Sequence, residues 1–141
     1  MSVEENKAGQ RRVWEEVFNK GKLEIVPELF ATNWVEHTPL GDLKGPEGFE
    51  QGAIKILTAF PDVHVTIDDM FAEGDKVVSR VTMTGTFKGE YMGIAPTGKK
   101  FTQRAILITQ WVGGKEVEAW AAYDTLTFYR QLGISPPAPP D

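Results

Sequence analysis

The chain has 141 residues, 41% hydrophobic and 25% charged, with 14 Gly and 9 Pro spread between apolar segments, so one domain with one core is expected. A formal charge of −5 opposes a phosphate-backbone partner, which needs Lys and Arg to displace counterions, and no nucleic-acid partner is expected. There is no cysteine for disulfides or thiolate metal sites, and no run approaches the roughly 20 apolar residues of a membrane span. The opening MSVEENKAGQ lacks an apolar signal core, so a cytoplasmic location is the expectation.

Ser2 with Glu5 reads as a capping box, and Val13, Trp14, Val17 and Phe18 mark one face of a first helix over about residues 3–19, ended by Gly21. A shorter second helix carries Leu23, Val26, Leu29 and Phe30. Trp34 to His37 is extended, and Thr38-Pro39 opens a loop. Pro46 suits the start of a third helix, whose stripe is Phe49, Ala53, Ile54 and Leu57 before Pro61 stops it.

The remainder reads mostly as strand. Val63, Val65 and Ile67 alternate with polar residues, and the phase changes near Asp68-Asp69, where a bulge is expected. Lys76 to Lys88 forms a long strand, GEYMGIAPTGKK a loop, and Phe101 to Val112 and Lys115 to Asp124 two further strands. A last helix over Thr125 to Leu132 stops at Gly133. The domain is expected to span 1–133, with 134–141 a Pro-rich tail. Helices first and antiparallel strands after them make an α+β fold, with the helices on one face of a curved sheet that encloses a pocket.

The turn Val112-Gly113-Gly114-Lys115 decides which side chains share a face. A three-residue loop pairs Leu107 with Ala119 and Ala105 with Ala121; a two-residue Gly-Gly loop pairs Leu107 with Trp120. The first is preferred, because it gathers Ala105, Leu107, Ala119 and Ala121 on one face and Ile106, Ile108, Trp120 and Ala122 on the other. Both faces are then apolar, the helices cover only one, and the second cover is expected to be another copy of the chain, making a homodimer.

His37-Thr38-Pro39, the segment FPDVHVTIDDMFAEGDKVVSRVTMTGTFKGEYMGIAPTGKK and the ending GGKEVEAWAAYDTLTFYRQLG resemble the SnoaL-like polyketide cyclases along nearly the whole chain. The resemblance implies a cone-shaped α+β barrel shared with nuclear transport factor 2 and ketosteroid isomerase, dimeric through the outer sheet face. It also implies ring closure by proton transfer with neither metal nor organic cofactor. The family's catalytic Asp would fall at Ala121 and its polar companions at Ala105 and Leu107, none of which can move a proton.

Other groups must therefore carry any chemistry. His37 leaves a strand for a loop, and an imidazole titrating at about pH 6.5 can act as acid or base, although a histidine bonded to loop backbone is the commoner case. Asp124 follows the last strand as a candidate base, but it is also a good N-cap for the helix behind it, the more frequent role. Arg80 either polarises a substrate carbonyl or pairs with a strand carboxylate. Trp34, Gln103, Ala105, Leu107, Ala119, Ala121 and Tyr123 complete the expected wall around an apolar small-molecule ligand, each equally at home as core or rim. Two functions compete: an acid-base enzyme of cyclase, isomerase or dehydratase type on a small apolar carbonyl compound, and a protein that only binds such a molecule. An epoxide hydrolase is a third, lacking a recognisable Asp-Arg-Asp set.

Overall fold

A computed structural model describes residues 2–136. Helix α1 (Val3–Arg12) begins as its sequence dictates: Ser2 accepts from the Glu5 amide at 3.1 Å and returns its hydroxyl to the Glu5 carboxylate. The helix then widens into a π-helical segment (Val13–Phe18), in which the Asn19 amide reaches back five residues to the Trp14 carbonyl. After a short turn, α2 (Val26–Leu29) is a single turn with Pro27 at its start, where a missing amide costs nothing.

Strand β1 (Phe30–Thr38) turns at once into β2 (Gly41–Lys44), where the sequence predicts a loop opening at Thr38-Pro39, and α3 (Gly45–Ala59) follows with Pro46 in its first turn. Then come β3 (His64–Glu73), β4 (Lys76–Thr86), β5 (Lys100–Val112), β6 (Lys115–Tyr123) and α4 (Thr125–Leu132). The six strands form one sheet in the order β2-β1-β6-β5-β4-β3, antiparallel except where β1 lies parallel to β6. It curves around a cavity without closing, and the helices cover the inner face. The β3 bulge falls between Ile67 and Asp69, as the change of phase indicated. Helix α4 ends at Gly133, whose φ of 78° favours glycine. Most of the expected tail, 137–141, lies outside the described residues.

The β5–β6 hairpin differs from the expected register. Gly113 and Gly114, both at positive φ, make a two-residue turn between Val112 and Lys115, and an extra residue in β6 at Val117 then shifts the pairing. Thr109 consequently sits opposite Ala119, Leu107 opposite Ala121 and Ala105 opposite Tyr123. The offset from the expected pairs is two residues, so the faces survive: Ala105, Leu107, Ala119 and Ala121 look inward while Ile106, Ile108 and Trp120 are exposed.

Two aromatic cores flank the cavity. At one end Phe30 stacks on Phe49 at 4.2 Å, with Trp34 edge-on to both and Trp111 nearby; at the other Phe60, Phe87, Phe101, Phe128 and Tyr129 pack together. Helix α1 lies so close to the first core that a Cβ at Gly9 would fall 2.7 Å from the Trp111 ring. Edge strand β3 is held by Asn19, whose side-chain oxygen accepts from the Val65 amide at 2.7 Å and whose nitrogen donates to the Val65 carbonyl at 2.9 Å. Asn19→Ala orphans both backbone groups and is expected to cost about 1–3 kcal/mol, read from urea unfolding. An unchanged midpoint would show that solvent replaces both bonds.

Candidate active site

The inner faces of β1, β4, β5 and β6 and the buried sides of α1, the π-helical segment, α3 and α4 enclose a cavity of about 430 Å³. That is the size of a small-molecule pocket. Its walls are chiefly apolar: Val13, Trp14, Phe18 and Phe49 on the helical side, Val81, Met83, Ala105, Leu107 and Ala121 on the sheet. Tyr91, Met92, Tyr123, Phe128 and Tyr129 stand toward the α4 end. Met92 and Gly93 form a two-residue turn between the paired Tyr91 and Ile94, with Met92 at a φ of 52°, and the Met92 sulfur accepts from the Tyr129 hydroxyl at 3.5 Å.

Two carboxyl groups face this apolar space. Glu36 projects inward from β1 beside Ala119 of β6, and among the described residues nothing hydrogen-bonds its carboxyl. Loss of water pushes its pKa up to about 7, against a small opposing pull from His37. Glu116, only 3% exposed, lies deeper and faces inward because of the Val117 bulge. The Trp34 indole donates to its Oε2 at 2.7 Å. Burial, partly countered by that bond and reinforced by the charge of Glu36, pushes its pKa up to about 8.

Around Glu116 the polar groups form one connected set. The Trp14 indole N–H is a donor without alternative, so the Gln10 amide atom 3.2 Å from it is the oxygen. The amide nitrogen then faces Thr109 Oγ1 at 2.8 Å and Glu116 Oε1 at 3.2 Å. Thr109 also accepts from the Trp111 indole at 3.0 Å. Three tryptophans thus direct their N–H groups into one buried network that holds the Glu116 carboxyl in place.

The residues expected from sequence divide into two groups. Gln103, Ala105, Leu107, Ala121 and Tyr123 line the cavity; Ala119 shares their face but is covered. Trp34 is core rather than wall, and reaches the site through its bond to Glu116. His37 is not in the cavity: three residues from Trp34 on one strand, it must face the other way, and its ring lies on the outer face near Trp120. There Nε2 meets Glu118 at 2.7 Å and Nδ1 meets Asp42 at 3.0 Å, which raise its pKa. Asp124 caps α4 with both oxygens engaged by Thr127, at 3.0 Å to the amide and 2.6 Å to the hydroxyl, and these bonds lower its pKa, the reverse of what a base at neutral pH requires. Arg80 points outward, 3.9 Å from Asp68.

Sequence reasoning missed Glu36, Glu116, Gln10 and Thr109. Glu36 and Thr38 share parity with Trp34, and that signal was available. Among the described residues no group of three or more His, Cys, Asp or Glu is arranged to hold a metal.

The fold is an open α+β sheet curved round an apolar pocket that two carboxyl groups face. The SnoaL-like polyketide cyclase family profile matches residues 9–132, and the chain belongs to that family. Aklanonic acid methyl ester cyclase DnrD of Streptomyces peucetius is 29% identical over 130 residues, covering 88% of each chain. The crystal structure of IdmH from Streptomyces antibioticus superposes with a TM-score of 0.79 at 30% identity, covering 92% of this chain and 99% of that one. A protein of Catenulispora acidiphila with a ketosteroid isomerase-like fold shares the architecture, with a TM-score of 0.71 at 19% identity over 86% of this chain and 89% of that one.

The buried acid has a consequence for stability. In the unfolded chain Glu116 ionises at its ordinary value of 4.5, whereas the folded state holds its proton to about 8. The stabilisation is fully present below pH 4.5 and is lost as pH rises through 8. Glu116→Gln removes that slope: melting temperature should fall with pH in the wild type across this window and stay flatter in the variant. Parallel melting curves would show that Glu116 ionises normally.

Proposed function

We propose that this chain is a cofactor-independent acid-base enzyme of its family, moving a proton on a small apolar carbonyl compound, with Glu36 as the proton carrier. The observation that carries this is a carboxyl that, among the described residues, has no hydrogen-bond partner, faces an apolar cavity and is pushed up to about 7, where it can both take and return a proton near neutral pH. Storage of an apolar ligand needs no such group, since burial alone provides affinity at roughly 25 cal/mol per Å² before ordering costs. The named cyclase relatives support a ring-closing or related carbonyl reaction. Ala121, Ala105 and Leu107, which stand where the resemblance places the polar set, leave the wall apolar, and the proton carrier moves to the neighbouring strand β1.

The test is α-proton exchange of 2-tetralone in D₂O followed by NMR. Wild type should accelerate exchange, with a rate that rises as Glu36 ionises around pH 7. Glu36→Gln should lose about 100-fold or more. His37→Gln removes a positive charge behind Glu36, which raises the Glu36 pKa, so the ascending limb moves to higher pH while the maximum rate changes little. Exchange at the uncatalysed rate in wild type would overturn the reading.

The same reading includes a homodimer formed through the outer sheet face. Ile106 is 50% exposed, with Ile108, Trp120 and Phe71 also at the surface, and apolar patches of this kind are uncommon on monomers. Light scattering at micromolar concentration should give twice the chain mass; a monomer mass would remove the dimer. No helix among the described residues is long and apolar enough to cross a membrane, and a cytoplasmic location fits this function.

A further inference from the structure

Glu116 is more elaborately held than a structural carboxyl needs to be. Each of its oxygens already receives one donor, Trp34 on Oε2 and Gln10 on Oε1, and both are N–H groups that cannot accept a proton in return. Among the described residues the charge that acts on an ionised carboxylate at this depth is that of Glu36 of β1, which repels it, while Lys55 of α3 lines the same cavity but is exposed; α1 presents Gln10, the π-helical segment Trp14, and β5 Thr109 and Trp111. The neutral acid is therefore the favoured form, and burial from water sets its acidity in the same direction. A carboxylic acid adds one O–H donor to its acceptor positions. Trp34 and Gln10 present N–H groups to it, and the carboxyl lines the cavity, so a ligand oxygen there can take that proton's bond.

We propose that Glu116 is the oxygen-binding donor of the pocket: a protonated carboxyl that hydrogen-bonds a carbonyl or enol oxygen of the ligand. The ligand then enters oxygen first, with its apolar body along Trp14, Phe49 and Leu107. The ligand class follows from this placement: an uncharged, acceptor-bearing compound whose opposite end is apolar. Carboxylates and phosphates are rejected, since they would lie against two acidic groups. Trp34 and Gln10 are positioning residues that fix the carboxyl plane. As charge builds on the ligand oxygen during enolisation, the Glu116 proton stays shared with it, so no net transfer from the acid is required. The inference rests on reading this cavity as the ligand site, and is independent of whether Glu36 turns substrate over.

The experiment compares 2-acetylnaphthalene, which only accepts, with 2-isopropylnaphthalene, of similar shape and no oxygen. Titration by tryptophan fluorescence gives affinities, and infrared spectroscopy of the carbonyl-labelled ketone gives the hydrogen bond directly. Wild type near neutral pH should prefer the ketone by about tenfold, the worth of one good hydrogen bond, and the bound carbonyl stretch should move to lower frequency. The preference should fade above about pH 8 as Glu116 ionises, while hydrocarbon binding stays flat. Glu116→Leu should abolish preference and frequency shift together. Glu116→Gln, which keeps an N–H donor, should retain a weaker preference with no pH dependence. Equal binding of the two probes by wild type, a preference that survives Glu116→Leu, or an unaltered pH dependence in Glu116→Gln each overturns the proposal; the last decides even if the leucine variant does not fold. Binding of the two probes is read without turnover, so a wild type that shows the preference but no exchange of 2-tetralone keeps this proposal while overturning the catalytic one.

Discussion

One residue inserted into one strand governs what faces the cavity. The Gly113-Gly114 turn starts β6 in a register that would place Leu107 opposite Trp120, and the bulge at Val117 corrects it within three residues. Strict alternation puts 116, 118 and 120 on one face. With the bulge, Glu116 turns inward while Glu118 and Trp120 turn outward, and Ala119 and Ala121 join Glu116 on the inner side. The wall of small residues that gives the cavity its width and the acid at its depth are thus products of the same backbone irregularity. Bulges recur beside active sites because they re-aim a side chain without rebuilding the sheet.

The electrostatics of the site follow from separation by a single sheet. Glu36 and His37 are neighbours in sequence and lie on opposite faces. Inside, apolar walls withhold water from Glu36 and Glu116, and the charge of Glu36 adds to the rise at Glu116. Outside, Glu118 and Asp42 hold His37 toward its charged form, and that charge opposes the upward shift of Glu36 through the strand. A surface ion cluster and a buried acid are therefore parts of one charge distribution.

The sequence made the order of elements legible because each had a local cause: the Ser2–Glu5 cap, Pro46 at a helix start, the phase change at Asp68-Asp69, the stop at Gly133. The face assignment of β5 was legible for a different reason, since the expected and observed hairpin registers differ by two residues and parity is preserved. The acidic site was harder. Glu116 carries the parity of the outer residues, and no residue in GGKEVEAW announces a bulge, so its inward turn depends on long-range pairing that only the folded sheet displays. Glu36 was accessible by counting from Trp34, but His37 attracted the assignment because imidazole titrates near neutral pH in isolation, whereas a glutamate does so only once its surroundings exclude water. Asp124 could be read from either role, and the hydroxyl and amide of Thr127 decide for the cap.

The contact between Gly9 and Trp111 gives a position on the first helix authority over the acid. A methyl group there would fall inside the indole ring's envelope, so helix and ring must separate. The adjacent Gln10 is the residue whose amide spans Trp14, Thr109 and Glu116. The close approach of a backbone to an aromatic face thus fixes where Gln10 stands, and with it one of the two bonds that orient the carboxyl.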